Sequence, residues 1–158
     1  MDITFKTECG RFNYRVCAIM INNNRILAMH DENSPYYYLP GGRVALNETA
    51  ENAVTREVKE ELDIEAKIIR PLWVHQGFFE EDVTGEKFHE LCIYFLVDVS
   101  RTGIFDRGDK FKGSESHHVH DFEWLPFERL KEEYIYPLFI KEKIFDLPKT
   151  LILQTEFE

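Results

Sequence analysis

The chain has 158 residues, the length of one ordinary domain, so we predict a single domain over residues 1–158. Hydrophobic residues make up 44% and charged residues 30% of the chain, proportions that exclude a disordered or low-complexity protein. The formal net charge of −10 disfavours a long nucleic-acid partner, because binding a duplex requires a basic surface. A small anionic partner remains possible where a bound cation offsets its charge.

The apolar segments are short, and none approaches the roughly 18 to 20 residues that a membrane-spanning helix needs. The first residues lack the basic flank and apolar run of a secretory signal. The cysteines, Cys9, Cys17 and Cys92, are odd in number and have no metal-binding spacing. We therefore expect a reduced, cytoplasmic protein without a membrane segment.

Two apolar segments near the start of the chain flank a run of asparagines. Residues 14–21 and 25–30 are separated by residues 22–24, and asparagine tolerates the left-handed backbone of a tight turn. This pattern predicts a hairpin. A third extended segment, 36–39, ends at the Pro-Gly-Gly sequence of residues 40–42, which predicts a loop.

The clearest predicted helix covers residues 49–62. It contains no glycine or proline, and apolar residues recur in it at helical spacing, namely Ala50, Val54, Val58 and Leu62. Thr49 is a residue type that caps helix N-termini. We therefore expect a helix that begins at Thr49 and buries the apolar stripe.

The rest of the chain alternates between extended and helical patterns. Extended segments are predicted at residues 66–73, 88–99, 122–125 and 150–157, with a glycine in the turn between the first two. A helical region is predicted over residues 126–145, with an interruption near Pro137. Strands and helices in this order predict an α/β fold with a mixed, curved sheet.

The predicted helix carries Glu57, Glu60 and Glu61 within one third of its circumference. Like charges at these spacings destabilise a helix by about a few tenths of a kcal/mol per pair, unless a cation offsets them. Glu48 precedes the helix, and the glycines of the preceding loop allow backbone amides to approach a phosphate. We therefore predict a site for a diphosphate and a divalent metal ion.

These residues resemble the box of the Nudix hydrolases, which reads Gly, five residues, Glu, seven residues, and then Arg-Glu-aliphatic-any-Glu-Glu-any-Gly-aliphatic. Here the box runs from Gly42 through Glu48 to Ile64, and it departs from the pattern only at Asp63, where the family has glycine. Aspartate tolerates a left-handed conformation better than most residues, so we expect intact chemistry. The resemblance implies an α/β/α sandwich with a mixed, curved sheet.

The resemblance also implies Mg²⁺-dependent hydrolysis, with Mn²⁺ as a possible substitute, of the diphosphate linkage in a nucleoside diphosphate joined to another group. Glu57, Glu60 and Glu61 would hold the metal ion, and Glu48 would be a further or supporting acid. Arg56 would orient one of the ligand carboxylates through paired hydrogen bonds.

The resemblance leaves the general base undecided. Glu60 and Glu61 are catalytic candidates on the helix, together with Arg56. Some members of the family place the base on a late loop, where this chain offers Glu115. The identity of the base therefore stays open.

Five residues are predicted to contact the substrate: Gly41, Gly42, Arg43, His89 and Glu90. The last two begin an apolar predicted strand and could face a cleft. Aromatic residues at positions 36–38, 73 and 78–79 could stack on a base, although most aromatic residues of a small sheet protein lie in the core.

Several interpretations compete with this one. The glutamates could form a solvated helix face, and the histidines at 117, 118 and 120 could suggest a transition-metal site, although they lack a firm ligand spacing. The basic stretch 101–113 could attract an anionic substrate or be an ordinary solvated loop. The protein could also be a nucleotide sensor that keeps the fold but not catalysis. Proteins that lose catalysis in this way usually have other residues in place of the helix glutamates, and here all three glutamates are present.

The pattern does not identify the small anionic nucleotide that the site would take. ADP-ribose, a dinucleotide, a nucleotide sugar and a modified nucleoside triphosphate all fit. Residues 151–157 could pair across a dimer or form an ordinary edge strand, so both a monomer and a homodimer stay open.

Overall fold

The computed structural model describes residues 1–113 and 119–158. The strands in chain order are β1 (Thr4–Thr7), β2 (Gly10–Ile19), β3 (Ile21–Asn22), β4 (Arg25–His30), β5 (Gly41–Arg43), β6 (Lys67–Glu80), β7 (Lys87–Asp98), β8 (Lys110–Lys112), β9 (Asp121–Pro126) and β10 (Ile152–Phe157). The helices are α1 (Ala50–Leu62) and α2 (Ile140–Lys143), with short 3-10 helices at Ile104–Arg107 and Phe127–Arg129. None of the described helices has both the length and the apolar character needed to cross a membrane.

The strands form two sheets, and the larger one is mixed. Its order is β1-β2-β7-β6-β10, and β5 pairs with β2 beside β1. The pairs β2–β7 and β6–β10 are parallel, while the other pairs of this sheet are antiparallel. The smaller sheet is antiparallel, in the order β3-β4-β9-β8. The prediction of an α/β fold with a mixed sheet is confirmed.

The asparagine turn forms as predicted, but the chain changes sheets just before it. Asn23 and Asn24 both have positive φ, 51° and 56°, and β3 pairs with β4 on either side of them. The first predicted strand is divided at the fully buried Met20, so β2 belongs to the larger sheet and β3 to the smaller one. Residues 36–41, here called the crossing segment, pass from the smaller sheet to the larger one beside this division.

The helix α1 begins and ends where the sequence indicates. The Thr49 side chain accepts a hydrogen bond from the Asn52 amide at 3.1 Å, and the apolar stripe is buried. Asp63 ends the helix in the left-handed region, at φ 53° and ψ 43°, and its amide donates to the Lys59 carbonyl at 2.9 Å. Aspartate thus adopts the conformation for which the family uses glycine, and its carboxylate lies 2.9 Å from the Lys59 ammonium.

Two apolar clusters pack on opposite faces of the larger sheet. One contains the buried stripe of α1 with Val16, Ala18 and Phe95, and the other joins Cys17, Trp73 and Tyr94 to the segment that follows β9. Neighbouring residues of β2 and β7 enter different clusters because side chains alternate along a strand. The site described below lies where α1, β2 and β5 meet.

The segment 126–145 is less helical than the sequence predicted. Regular helix is confined to Phe127–Arg129 and α2, because the backbone between them pairs with the crossing segment. The Tyr37 amide donates to the Tyr134 carbonyl at 2.8 Å, and the Tyr136 amide donates to the Tyr37 carbonyl at 3.0 Å. An extended backbone makes these bonds, so a helix cannot continue through this part of the chain.

Candidate active site

Two glycines set the shape of the site at the start of β5. Gly41 pairs with Cys17 and Gly42 with Val16 in the β2–β5 ladder. A Cβ atom at Gly41 would lie 2.1 Å from the Val16 carbonyl oxygen, and one at Gly42 would lie 2.2 Å from Glu57 Oε1. The lack of a side chain at Gly42 therefore lets the Glu57 carboxylate pack directly against the strand.

Arg56 connects the acids of the site. Its Nε and Nη2 atoms donate to the two carboxylate oxygens of Glu48 at 2.7 and 3.0 Å. Its Nη1 atom donates to Glu57 at 2.7 Å and to Glu60 at 3.3 Å, and Nη2 also reaches the Arg43 carbonyl at 3.1 Å. The hydrogen bonds from Arg56 lower the pKa of Glu48 to about 2. Arg56 therefore holds three carboxylates in fixed positions.

Glu61 differs from the other glutamates of the helix because it is buried. The residue is 6% exposed, and its Oε2 atom has no hydrogen-bond partner among the residues that the structure describes. Burial raises the pKa of Glu61 well above its usual value, and the nearby charge of Glu57 raises it further. Burial also raises the pKa of Glu57. Two carboxylates that share a poorly solvated space in this way attract a cation or a proton.

The carboxylate oxygens of Glu57, Glu60 and Glu61 suit a hard divalent cation, although the side chains are not arranged as a complete coordination sphere. Within residues 1–113 and 119–158, no three His, Cys, Asp or Glu side chains are grouped so as to hold a metal ion. Arg56 instead binds Glu57 and Glu60. The unpartnered Oε2 atom of Glu61 and its repulsion from Glu57 are what an ion with oxygen ligands would relieve, so the residues fit such an ion.

A cavity of about 340 Å³ adjoins these acids at the junction of the sheets. Its walls include many aromatic side chains: Tyr36, Tyr38, Phe79, Phe88, Tyr94 and Tyr136. Cys17 and Arg15 line the cavity and also interact electrostatically with Glu61. The volume and the mixture of apolar walls with a few polar groups are typical of a ligand-binding pocket.

Arg15 is a cavity residue that the sequence interpretation missed. Its guanidinium lies 4.0 Å from the Glu90 carboxylate, and it interacts electrostatically with both Glu57 and Glu61. Although burial lowers the pKa of Arg15, the charge of Glu90 helps to raise it overall, so the residue stays cationic. An arginine inside an apolar predicted strand was the signal in the sequence that could have identified it.

The structure separates the predicted substrate residues into two groups. Arg43 and Glu90 line the cavity, and Gly41 and Gly42 lie beside it. His89 lies on the opposite face of β7, where its ring packs against Phe78 with 4.4 Å between centroids in a separate groove. His89 and Glu90 are consecutive residues of one strand, so they cannot face the same side.

Other candidates lie away from the cavity or outside the described residues. Glu115 belongs to the undescribed residues 114–118, as do the histidines at 117 and 118. In the basic stretch 101–113, Lys110 and Lys112 approach Glu123 and Asp121 of β9 at 3.7 and 3.2 Å. No described residue of that stretch lines the cavity.

Comparison with known proteins identifies the family of this chain. The family model of the NUDIX domain matches residues 11–143 of this chain. An ADP-ribose pyrophosphatase of Methanocaldococcus jannaschii is 34% identical over 119 residues, which cover 73% of this chain and 68% of the relative.

Solved structures share the fold at lower identity. A mutator MutT protein from Bacillus halodurans aligns with a TM-score of 0.64 at 14% identity, covering 92% of this chain and 89% of its own. A NUDIX-family hydrolase from Clostridium perfringens aligns with a TM-score of 0.60 at 16% identity, covering 85% and 96%. The chain therefore belongs to the Nudix family of pyrophosphohydrolases, as its box indicated.

Proposed function

We propose that the protein hydrolyses the diphosphate linkage of a nucleoside diphosphate joined to another group, in a reaction that depends on Mg²⁺ or Mn²⁺. One observation carries the proposal: the buried Glu61 carboxylate has an oxygen without a hydrogen-bond partner among the described residues, and it lies beside Glu57 next to an open cavity. A buried carboxylate of this kind destabilises the fold unless a cation, a proton or a hydrogen bond compensates it, and a divalent metal ion would do so.

The helix glutamates would hold the metal ion through carboxylate oxygens, with Glu57 and Glu61 as its main ligands and Glu60 as either a further ligand or the general base. When bound, the ion would neutralise charge on the diphosphate and lower the pKa of the attacking water. Arg56 positions Glu57 through its 2.7 Å hydrogen bond. Glu48 acts mainly by holding Arg56, because both of its oxygens accept hydrogen bonds from that guanidinium.

The proton of the attacking water needs an acceptor, for which this chain offers two carboxylates. The Glu60 side chain is 49% exposed, so it can reach water at the edge of the site while Arg56 contacts one of its oxygens. Glu115 is the other candidate. Replacing each residue by glutamine shows which of the two is the base, because loss of the base lowers kcat and removes the acidic limb of the pH–rate profile.

The first substrate to test is ADP-ribose, because the relative at 34% identity is an ADP-ribose pyrophosphatase. Nucleotide sugars, dinucleotides and modified nucleoside triphosphates complete the panel, since each contains a phosphoric anhydride. Cys9, Cys17 and Cys92 are free thiols, which supports a reducing compartment such as the cytoplasm as the site of action.

The test measures product release from this panel with and without Mg²⁺, for the wild type, Glu61→Gln and Glu65→Gln. Glu65 has an exposed side chain beyond the C-terminus of the helix, so it is a matched control for the loss of one charge. We expect Mg²⁺-dependent turnover that Glu61→Gln abolishes and Glu65→Gln retains. Tight, metal-independent binding of one nucleotide without any turnover would instead make the protein a nucleotide sensor.

A further inference from the structure

The cavity has a cationic end and an anionic end. Arg15 and Arg43 line it near the catalytic acids, while Glu80, Glu81 and Asp82 line it at the end of β6 and just beyond. Along β2, the distance from Cys17 beside the acids to Asn13 in mid-cavity is about 13 Å, at roughly 3.3 Å per residue. A ligand that spans the cavity therefore passes from a basic to an acidic environment.

The Glu81 carboxylate at the acidic end stays charged. Glu81 accepts hydrogen bonds from the Val83 and Thr84 amides at 3.0 and 2.8 Å and from the Thr84 hydroxyl. These bonds, the Thr84 hydroxyl first, lower the pKa of Glu81. Burial raises the pKa of Tyr36, and the charges of Glu81 and Asp82 raise it further, so both carboxylates lie close to an aromatic wall of the cavity. A phosphate at this end would meet like charge.

Glu90 supplies hydrogen-bond acceptors in the middle of the cavity. Its side chain is 12% exposed, and it lies 3.5 Å from Asn13 Nδ2 and 4.0 Å from the Arg15 guanidinium. Both contacts are long, so they leave acceptor capacity on the carboxylate. Carboxylate oxygens accept hydrogen bonds, so their natural partner is a ligand N–H or O–H group.

Two further buried groups in the cavity wall lack hydrogen-bond partners. His75 is 5% exposed, and neither of its ring nitrogens is hydrogen-bonded within the described part of the chain, although Nε2 lies 3.4 Å from Glu156. The Nε atom of Arg15 is also buried and has no such partner there. Polar groups left in this state beside aromatic walls offer hydrogen bonds that a bound ligand would complete.

We propose that the cavity binds the nucleobase of the substrate, that it selects an uncharged base carrying an exocyclic amino group, and that Glu90 is the residue that selects it. The amino group donates to Glu90, the ring packs against the aromatic walls, and the phosphates extend towards Arg15 and the catalytic acids. This inference takes the proposed nucleotide substrate as given. It adds that adenine or cytosine is preferred to a base with a carbonyl oxygen at the same position.

The test uses nucleoside monophosphates, which lack the linkage to be cleaved, so it is independent of turnover. Isothermal titration calorimetry compares AMP with IMP and CMP with UMP. Within each pair an amino group becomes a carbonyl oxygen, and the neighbouring ring nitrogen changes from an acceptor to an N–H donor. We expect the wild type to bind the amino member about tenfold more tightly within at least one pair. Hydrolysis of the diphosphate panel is measured separately, so either proposal can fail alone.

The variant Glu90→Gln tests whether Glu90 is responsible for the preference for the amino member of a pair. Glutamine keeps the size of the side chain but offers both a donor and an acceptor, so the preference within that pair should fall to about twofold or less. The exposed substitution Glu142→Gln is the control and should keep the wild-type ratio. A role of Glu90 in folding alone would change both affinities equally and leave the ratio intact, which would contradict its selective role.

Other results also overturn the proposal. Equal binding within both pairs, or no binding of any of the four nucleotides, would show that the cavity does not recognise an exocyclic amino group. If Glu90→Gln does not fold, as judged by its thermal unfolding, Glu90→Asp replaces it. Aspartate keeps the carboxylate but shortens the side chain, so an unchanged ratio in that variant would contradict the role of Glu90.

Discussion

Arg56 binds Glu48 through two parallel hydrogen bonds, from Nε to Oε1 at 2.7 Å and from Nη2 to Oε2 at 3.0 Å. The pair joins the residue before the Thr49 cap to the second turn of the helix. Glu48 Oε2 also accepts from the Ala45 amide at 2.9 Å, so the loop between β5 and α1 is linked through Glu48 to the same guanidinium. Loop and helix are therefore held in one fixed arrangement around Glu57.

Replacing Arg56 by lysine should destabilise the fold and lower activity. Lysine cannot reproduce the paired geometry of a guanidinium, so Glu48 and Glu57 lose charge-assisted hydrogen bonds. We expect a loss of about 1.5–3 kcal/mol in the free energy of unfolding, measured by urea denaturation. The control is Lys59→Ala, which removes exposed ion pairs on the same helix and should cost less than about 1 kcal/mol. Similar losses in both variants would contradict this role of Arg56.

Alanine at the two glycines should have different consequences. A Cβ at position 41 would meet the Val16 carbonyl, which is backbone, so Gly41→Ala should lower the stability by about 1–3 kcal/mol. A Cβ at position 42 would meet the Glu57 carboxylate, a side chain that can rotate away. Gly42→Ala should therefore retain most of its stability and lose activity by about 100-fold. Unfolding curves and kcat/KM for both variants test this difference between loss of stability and loss of activity. Full activity of Gly42→Ala would contradict the prediction.

Mg²⁺ should stabilise the folded protein without any substrate present. An ion that binds only the folded state at about 100 times its Kd adds about 2.7 kcal/mol, which thermal unfolding detects as a higher Tm. Glu61→Gln removes a buried charge, so without metal it should be at least as stable as the wild type, yet its Tm should not respond to Mg²⁺. Glu65→Gln should respond normally. An undiminished response of Glu61→Gln would exclude Glu61 as a ligand.

The contact between Tyr37 and Glu123 predicts a pH dependence of stability. The Tyr37 hydroxyl donates to Glu123 Oε2 at 2.7 Å, and burial together with this bond raises the pKa of Tyr37 to about 12. Because the folded value lies above the ordinary value of about 10, the stabilisation is complete below pH 10 and is lost as the pH rises to about 12.

Removing the hydroxyl isolates this contribution. At pH 8, Tyr37→Phe should be less stable than the wild type by about 1–2 kcal/mol, because Glu123 loses a hydrogen bond. Between pH 10 and 12 the difference should shrink, since the wild type loses a contribution that the variant lacks. Urea midpoints measured across this range test the expectation, and a constant difference would show that Tyr37 does not titrate as inferred.

The elements of local origin were predictable from the sequence. The span of α1, its cap at Thr49 and the asparagine turn each depend on residues close together in the chain, and each forms as expected. The segment 126–145 was predicted as more helical than it is, because its backbone bonds to residue 37, a partner that helical periodicity cannot reveal.

The sequence by itself determined the family and the edge of the helix on which three glutamates lie, because the spacing along a helix decides which side chains share an edge. Only the tertiary structure decided that Glu61 is buried while Glu60 is half exposed, since that difference depends on how β5 packs against the helix. It also decided that Glu90 lines the cavity and His89 does not. The cavity joins β2, β6, β7 and the crossing segment, and contacts between such distant parts of the chain leave no periodic signal in the sequence.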